Sequence, residues 1–195
     1  MATTTSESLI YQIKVKLLDA PVLIWRKLEV SSEVRLDKLH LIIQTAMGWE
    51  NAHLYQYILP KLHQYIVPEP EDLAEYGHFL ASAVSLAKFL QAPKQKFRYE
   101  YDFGDSWLHE ILLEKILPFD SNVSYPRCLS GKGACPPEDC GGVCGYEELL
   151  AILADPKHKE HKHYREWLGL EKGEQWDPKA FDINQINQAL TYYFG

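Results

Sequence analysis

The amino-acid sequence predicts an α+β fold, built on a mainly antiparallel sheet with one helix after the first hairpin and a C-terminal group of helices. Three observations predict it. Segments with alternating apolar and polar residues fill the first part of the chain, as in half-buried strands. Segments with helical spacing dominate the last part. The two types do not alternate regularly, as they would around a parallel sheet.

The first hairpin and the helix after it come from residues 9–48. Alternation predicts strands over residues 9–19 and 22–30, with a break at Ala20-Pro21 between them. Residues 31–33 offer N-cap side chains for a helix. Apolar residues then recur at helical spacing up to Gly48, which is a natural helix stop.

Two further strands are predicted beyond this helix, over residues 52–59 and 62–67. In the first of them, alternation places His53, Tyr55 and Tyr57 on one face. The aromatic set around Trp25, Trp49, Tyr55 and Tyr57 could stack bases or sugars, but most of it is expected to contribute to core packing.

The middle of the chain contains the most regular strand. Residues 68–77 are acidic and contain proline, so we expect a surface loop or lid, and residues 85–91 suggest one or two helical turns. Residues 96–103 then alternate strictly between aromatic and charged side chains. The turn-forming string GDS follows, and residues 107–116 are the predicted antiparallel partner. One face of the first strand is predicted to carry Phe97, Tyr99, Tyr101 and Phe103.

The C-terminal part is predicted to be helical over residues 146–195, after a long Cys/Gly/Pro-rich loop at residues 120–145. Helices are expected over residues 146–156, 163–170 and 181–194. Each half alone would leave an apolar face uncovered, which favours a single domain.

Length and composition indicate one globular domain over residues 1–195, with a disordered N-terminus at residues 1–8. Hydrophobic residues make up 46% of the chain, which suits a packed core. We find neither an apolar run long enough for a bilayer nor the layout of a secretory signal, so we expect a soluble, cytoplasmic protein without a membrane partner.

Charge argues against general nucleic-acid binding. The chain carries 20 basic and 27 acidic residues, a net charge of −7. One basic cluster, residues 157–165, is interpreted as a solvated helix face, and its three histidines as surface residues.

The corner around Gly104 is the first candidate site. If the segment after the turn is extended, Asp105, Trp107 and His109 project to one side, and Asp102 adds a carboxylate across the turn. Such a set could bind a divalent cation or serve as a base with its orienting acid. The alternative interpretation is structural, with aspartates that accept turn amides and with Trp107 in the core.

The second candidate is the loop with all four cysteines of the chain. Four thiolates could form a tetrahedral zinc site, although the spacing lacks paired CxxC knuckles. The alternative is a set of buried, unreactive thiols. In the same loop Glu138 and Asp139 present two carboxylates, which suit either a helix lead-in or a pocket wall. The metal-ligand candidates are Cys128 and Cys140, and with less support Cys135 and Cys144.

Several strings together carry a family resemblance. They are IWRKLEV, which contains Trp25 and Arg26, a helix end at Gly48-Trp49, and YDFGDSWLH and PPEDCGG with a following GY. With the closing FDINQINQAL, they cover about residues 11–190. The chain resembles the plasmid pRiA4b ORF-3-like family, a largely uncharacterised group.

The resemblance implies little about activity. Members appear as passenger proteins of insertion elements, some of them labelled TnpR-like, which implies an association with mobile genetic elements. A serine recombinase needs a nucleophilic serine among arginines, whereas Ser106 lies between Asp105 and Trp107, so that activity is not expected. Cys128 resembles a cysteine common in the family, while Cys135 and Cys144 look optional. The motif residues that carry over are Trp25, Arg26, Asp102, Gly104, Asp105, Trp107, His109, Pro137, Glu138, Asp139, Cys140, Gly141 and Gly142.

We therefore expect a binding or interaction domain in which the Gly104 corner and the cysteine loop form one polar, aromatic-walled pocket for a small ligand, a metal ion or a protein. The residues predicted to line it are Trp25, Arg26, Asp102, Asp105, Trp107, His109, Glu138 and Asp139. The alternative is a metal-dependent hydrolase that acts on phosphodiesters, with zinc or another divalent ion held by Asp102, Asp105, His109, Glu138 and Asp139.

Overall fold

The computed structural model describes residues 9–195, so the predicted disordered segment 1–8 lies outside the described residues. Over that range eight strands form one sheet in the order β5-β4-β3-β6-β7-β1-β2-β8. All neighbouring pairs are antiparallel except β4 with β5. The strands are β1 (Leu9–Leu17), β2 (Trp25–Ser31), β3 (Tyr55–Leu59), β4 (Gln64–Val67), β5 (Phe79–Leu80), β6 (Lys96–Tyr101), β7 (Trp107–Pro118) and β8 (Arg127–Lys132).

This architecture confirms the predicted α+β class. A solid core lies on one face of the sheet, where Tyr99 and Tyr101 of β6 lie beside Trp107 and Ile111 of β7. Along an extended chain every second side chain points to that face. The strict alternation in β6 therefore determines which of its residues face the core. Phe103 is an exception to the predicted face, because β6 ends at Tyr101 and Phe103 is exposed in the turn.

Helix α1 (Leu36–Met47) covers the core face of the sheet and follows the first hairpin, as predicted. The phenol of Tyr57 donates to the Leu36 carbonyl at 2.8 Å, which ties the helix to β3. The helix ends at Gly48, whose φ of 95° is left-handed. Its N-cap is Arg35 and not a residue of 31–33, and no side chain caps it.

Two segments predicted as loops contain regular structure. The acidic stretch 68–77 contains the short helix α2 (Pro70–Glu75), which begins at a proline, where the ring preorganises the first turn. The cysteine-containing stretch 120–145 includes β8 and the start of α3 (Gly142–Ala154). Strand β8 has the sequence RCLSGK and shows no apolar alternation, because it is an edge strand that pairs on one side only, with β2.

Three helices complete the chain: α3, α4 (His161–Trp167) and α5 (Ile183–Phe194). Asp182 caps α5 by accepting the amides of Asn184 and Gln185. The side chain of Asn187 accepts the Cys128 amide at 2.7 Å and donates to the Cys128 carbonyl at 2.9 Å, so α5 is held against the free edge of β8.

The helices among residues 9–195 include none that has both the length and the apolar character needed to cross a bilayer.

Candidate functional site

The turn between β6 and β7 fixes the carboxylate of Asp102. Asp102 adopts a left-handed φ of 57°, which aspartate tolerates better than most residues. Its Oδ1 accepts the Gly104 amide at 2.9 Å and the Asp105 amide at 3.4 Å. The turn amides therefore occupy one carboxylate oxygen, and Oδ2 is the oxygen that lies toward His53.

The cysteine-containing segment 120–145, which we call the connector, packs directly against this turn. The Gly141 amide donates to Asp105 Oδ2 at 3.2 Å. Gly142 comes so near that a Cβ there would lie 2.5 Å from the Asp105 carbonyl oxygen, and its φ is +67°. The glycine pair thus permits a close approach that a side chain would block. The structure therefore brings together the two sequence-distant segments that were predicted to meet.

Glu138 is held in a fixed orientation by donors from two other segments. Its Oε1 accepts the Glu50 amide at 2.8 Å and the Tyr101 hydroxyl at 3.0 Å. Burial, with the nearby Glu138 charge, raises the pKa of Tyr101, so the phenol remains a hydrogen-bond donor at neutral pH. The orientation directs Oε2 of Glu138 toward His53.

The imidazole of His53 is the centre of this group. Its Nε2 lies 3.8 Å from Asp102 Oδ2, 3.5 Å from Glu138 Oε2 and 3.3 Å from Asp139 Oδ1. That nitrogen is enclosed and makes no hydrogen bond. We call His53, Asp102, Glu138 and Asp139 the His53 cluster.

The His53 cluster is graded from buried to open. The side chains are 9% exposed for Asp102, 17% for Glu138, 28% for His53 and 73% for Asp139. Three carboxylates that converge on one nitrogen repel each other, and burial of charge is costly unless the charge is paired or coordinates a metal. Among residues 9–195, the group of metal-ligand type whose atoms lie within 4.8 Å of one another is His53, Asp102 and Asp139.

His109 is not part of this cluster, which corrects the prediction. The side chain is fully buried, and its Nδ1 lies 2.9 Å from the Trp107 carbonyl. Its ring meets that of Trp49 edge-on at 5.3 Å, and burial lowers the pKa of His109 to about 4. Residues 107 and 109 share the core face of β7, whereas Asp105 belongs to the turn before the strand. Asp105 supports the connector and does not face His53.

Trp25 and Arg26 also lie outside the His53 cluster. Successive residues of a strand point to opposite faces, so Trp25 lies on the outer face, where the Lys14 ammonium is 4.6 Å from the centre of its ring. Arg26 is buried, and its Nε donates to the Ala46 carbonyl at 2.8 Å. It lines a separate cavity.

The four cysteines do not form the four-thiolate zinc site considered above. All four are free thiols, and no cysteine joins a metal-ligand group within residues 9–195. Cys128 is buried in β8, where its thiol donates to the Ser130 carbonyl. Burial raises the pKa values of Cys128, Cys135 and Cys140, the last to about 12, so these three are protonated at neutral pH.

His53 is the site residue that sequence reasoning missed. It precedes β3 by two positions, whereas alternation predicted that it shares a strand face with Tyr55 and Tyr57. A local sequence signal for this exists, because Asn51 favours a turn just before the strand. In the structure Asn51 has a left-handed φ of 58°. That turn directs His53 to the rim, while Tyr55 and Tyr57 enter the core.

A cavity of about 430 Å³ opens beside the His53 cluster. Its wall includes His40, which stacks on Tyr55 with the ring centres 3.6 Å apart. The Nδ1 of His40 lies 2.8 Å from the Tyr99 hydroxyl, and burial lowers the pKa of His40 to about 4. The other lining residues are Asp37, Leu41, Asn51, His53, Leu54, Pro68, Glu69 and Ser82, with Tyr55.

Comparisons with known proteins assign a family. The family model described as plasmid pRiA4b ORF-3-like protein matches residues 9–185. The chain is 36% identical over 182 residues to the uncharacterized protein y4hQ of Sinorhizobium fredii (strain NBRC 101917 / NGR234), which covers 93% of this chain and 90% of that protein.

A solved structure has the same fold. The crystal structure of the protein of unknown function MM3350 from Methanosarcina mazei Go1 superposes with a TM-score of 0.79 at 34% identity. The match covers 92% of this chain and 98% of that one. Neither relative carries an assigned activity in its name.

Proposed function

The chain belongs to the plasmid pRiA4b ORF-3-like protein family, and we propose that it is a binding domain that holds a divalent metal ion at the His53 cluster. One observation carries the proposal. The enclosed Nε2 of His53 has no hydrogen-bond partner, while carboxylate oxygens of three residues surround it at 3.3–3.8 Å.

The spacing of these atoms supports a bound cation. Bonds of 2.0–2.1 Å in a tetrahedral site place the ligand atoms about 3.4 Å apart. The three nitrogen–oxygen separations are 3.8, 3.5 and 3.3 Å, close to that value. Separations of 3.3–3.8 Å exceed the usual length of an N–H···O hydrogen bond, whereas an imidazole nitrogen and carboxylate oxygens can all donate lone pairs to one ion.

The ligand types select among metals. The ligand atoms of His53, Asp102 and Asp139 all lie within 4.8 Å of one another. Glu138 lies outside this group, and its Oε2 approaches His53 Nε2 to 3.5 Å. One imidazole nitrogen with two or three carboxylates suits Zn²⁺, Mn²⁺ or Fe²⁺ better than Ca²⁺ or Mg²⁺, whose sites consist of oxygen. Backbone and phenol donors hold the second oxygens of Asp102 and Glu138, an arrangement that orients ligands in known metal sites. The exposed Asp139 leaves one side open to a small ligand or a partner.

Metal content and titration calorimetry test this proposal. Protein stripped with a chelator should bind one equivalent of Zn²⁺ or Mn²⁺, and His53→Gln and Glu138→Gln should each weaken binding by at least tenfold. The matched control is His63→Gln, because His63 is an exposed histidine outside the cluster. Cys128→Ser and Cys140→Ser should leave the stoichiometry unchanged. Binding that His53→Gln does not affect, or that the cysteine variants abolish, would overturn the assignment.

A metal-dependent hydrolase that acts on phosphodiesters is the second candidate. The observation that favours it is the 73% exposure of Asp139, since a catalytic ion needs an open position and a structural ion does not. A bound divalent ion would supply Lewis acidity to the phosphoryl group. Within the chain, Tyr101 and the Glu50 amide would keep Glu138 oriented at this open edge.

The test is hydrolysis of bis(p-nitrophenyl) phosphate by the metal-loaded chain. Turnover that Glu138→Gln abolishes and His63→Gln does not would support the hydrolase. Stoichiometric metal binding without turnover would support the binding-domain proposal and contradict the hydrolase proposal. The association with mobile genetic elements that the resemblance implies stays a prediction, and the metal proposal does not depend on it.

A further inference from the structure

Arg26 is a buried cation with no counter-ion among residues 9–195. It is 3% exposed. Its Nε donates to the Ala46 carbonyl, and its Nη1 donates to the carbonyls of Trp25 and Lys132. The ion pairs of the described residues do not include it, and none of its recorded hydrogen bonds uses Nη2.

The surroundings of Arg26 compensate its charge only in part. The Ala46 carbonyl belongs to the last turn of α1, where the helix dipole favours a cation. The nearby thiols of Cys128 and Cys135 stay protonated because burial raises their pKa values. A charged group in such a place usually has an anionic partner, since uncompensated burial is expensive.

Arg26 lines a cavity of about 920 Å³ that is distinct from the one beside His40. That volume lies within the range of small-molecule sites. Three tryptophans form its wall, Trp49, Trp167 and Trp176, and the ring of Phe181 lies 5.1 Å from the Arg26 guanidinium carbon. Flat apolar walls of this kind favour an aromatic or similarly planar occupant.

Three acidic residues also line the cavity, Glu50, Glu138 and Asp182. Asp182 caps α5, and Glu138 accepts the Glu50 amide and the Tyr101 hydroxyl. Glu50 is exposed to solvent. The carboxylates of Asp182 and Glu138 therefore already have hydrogen-bond donors, and that of Glu50 faces solvent. The guanidinium of Arg26 is left with an Nη2 that has no protein acceptor within residues 9–195.

We propose that this cavity binds an organic monocarboxylate with a planar aromatic body. One carboxylate oxygen accepts the Arg26 Nη2 protons, and the ring lies among the tryptophans. A phosphate would bring nearly two negative charges and require several donors, whereas this site supplies one free nitrogen beside three acids. The site does not depend on the metal at the His53 cluster, although Glu138 borders both.

The probe for this site is 2-naphthoate, with the neutral 2-naphthamide as its matched analogue. Because three of the five tryptophans of the chain line the cavity, intrinsic fluorescence reports occupancy. We expect naphthoate to quench the emission and to bind at least tenfold tighter than the amide. Equal affinities, or no quenching up to millimolar concentration, would overturn the proposal.

Two variants locate the binding. Arg26→Gln keeps a side-chain donor but removes the charge, so it should erase the preference for naphthoate over naphthamide. Arg26 also ties α1 to two strands, so this variant can fail to fold. Ala189→Trp is therefore the second variant, since Ala189 lines the cavity from α5 and a large side chain there should abolish both ligands. Naphthoate binding that survives Ala189→Trp would place the ligand elsewhere and overturn the assignment.

A third variant separates this proposal from the metal proposal. His53→Gln should remove metal and leave naphthoate affinity unchanged. If His53→Gln abolished naphthoate binding as well, the carboxylate would bind the metal and not Arg26, and the Arg26 site would be rejected.

Discussion

Two histidines at one end of the sheet show how different neighbouring environments can be. His109 is fully buried among aromatic rings and its Nδ1 contacts the Trp107 carbonyl. His53 lies at the rim, where three carboxylates surround its Nε2. Tyr101 lies at the boundary between the core around His109 and the His53 cluster. Its ring packs in the core, while its hydroxyl donates to Glu138.

The contrast shows that the strand register, more than the residue type, decides which histidine can meet a ligand. His109 shares its face of β7 with Trp107, so it is committed to the core. His53 precedes β3 and is free of that alternation. We therefore expect changes in the His109 region to affect stability, and changes in the His53 cluster to affect metal binding.

The largest expected effect comes from Trp107, the largest fully buried side chain on the core side of the boundary. Trp107→Ala should lower the free energy of unfolding by about 3–5 kcal/mol, because it removes a buried ring and leaves a cavity. Urea denaturation measures the loss. Trp167→Ala is the control, since Trp167 is 43% exposed, and it should cost far less. Equal losses would contradict the assigned core.

The next effect is a pH dependence that belongs to the buried histidine. Burial lowers the pKa of His109 to about 4, below about 6.5 for an unfolded histidine. The unfolded chain therefore binds the proton first, and stability is lost as pH falls from about 6.5 toward 4. Between pH 7.5 and 5 this single group should cost about 2 kcal/mol.

The comparison variant is His109→Asn, whose side-chain amide nitrogen matches the position of Nδ1 and keeps a donor for the Trp107 carbonyl. Urea denaturation at several pH values should show a shallower decline for this variant than for the unmodified chain. His40, whose pKa burial also lowers to about 4, should keep its own share of the decline in both proteins. Parallel curves would show that His109 does not titrate as a buried neutral group.

Gly142 tests the contact that joins the two regions. Gly142→Ala places a Cβ 2.5 Å from the Asp105 carbonyl at a φ of +67°. We expect a loss of about 1–2 kcal/mol in unfolding free energy, together with weaker metal binding as the connector shifts. Gly169→Ala is a closely matched control, because Gly169 has the same φ of +67° and nothing within 4 Å. If both variants behaved alike, the close approach would have no energetic role.

The smallest effect on the metal-free protein is expected at Asp102. Asp102→Asn keeps Oδ1 for the turn amides and removes one of the converging charges. Unfolding free energy without metal should change by less than about 0.5 kcal/mol. With metal at 100 times its dissociation constant, the unmodified chain should gain about 2.7 kcal/mol and the variant almost none.

The control for this pair of measurements is Asp19→Asn. Asp19 has a φ of 58°, nearly that of Asp102, but it is exposed and remote from the cluster in sequence. It should change neither quantity. A metal-dependent gain that Asp102→Asn retains would exclude Asp102 as a ligand.

The fold was largely predictable from the sequence because most of its signals are periodic. Phe97, Tyr99 and Tyr101 alternate strictly, and the structure pairs their strand with β7 as expected. Strand β8 was missed because it is an edge strand whose sequence lacks apolar alternation, so only its pairing with β2 reveals it. Helix α2 was missed because it has only six residues and none of them is buried, so it carries no apolar stripe at helical spacing.

The candidate site was only half predictable. Asp102, Glu138 and Asp139 were identified because carboxylates stood in turn-forming strings, and those turns do converge. His53 was misplaced because β3 begins only at Tyr55, so the preceding turn with Asn51 at a φ of 58°, and not strand alternation, sets the direction of the His53 side chain. Convergence of segments about 50 and 85 positions away is a tertiary property, which no local pattern records.

The amide of Asn187 has a consequence for how the molecule behaves among its own copies. It occupies both backbone hydrogen-bonding groups of Cys128 on the outermost strand. An unpaired strand border is a template on which another chain can add a strand, and such addition leads to aggregation. Through Asn187, helix α5 takes the place of the missing neighbour at one point of β8 and thereby hinders the addition of another chain at this edge.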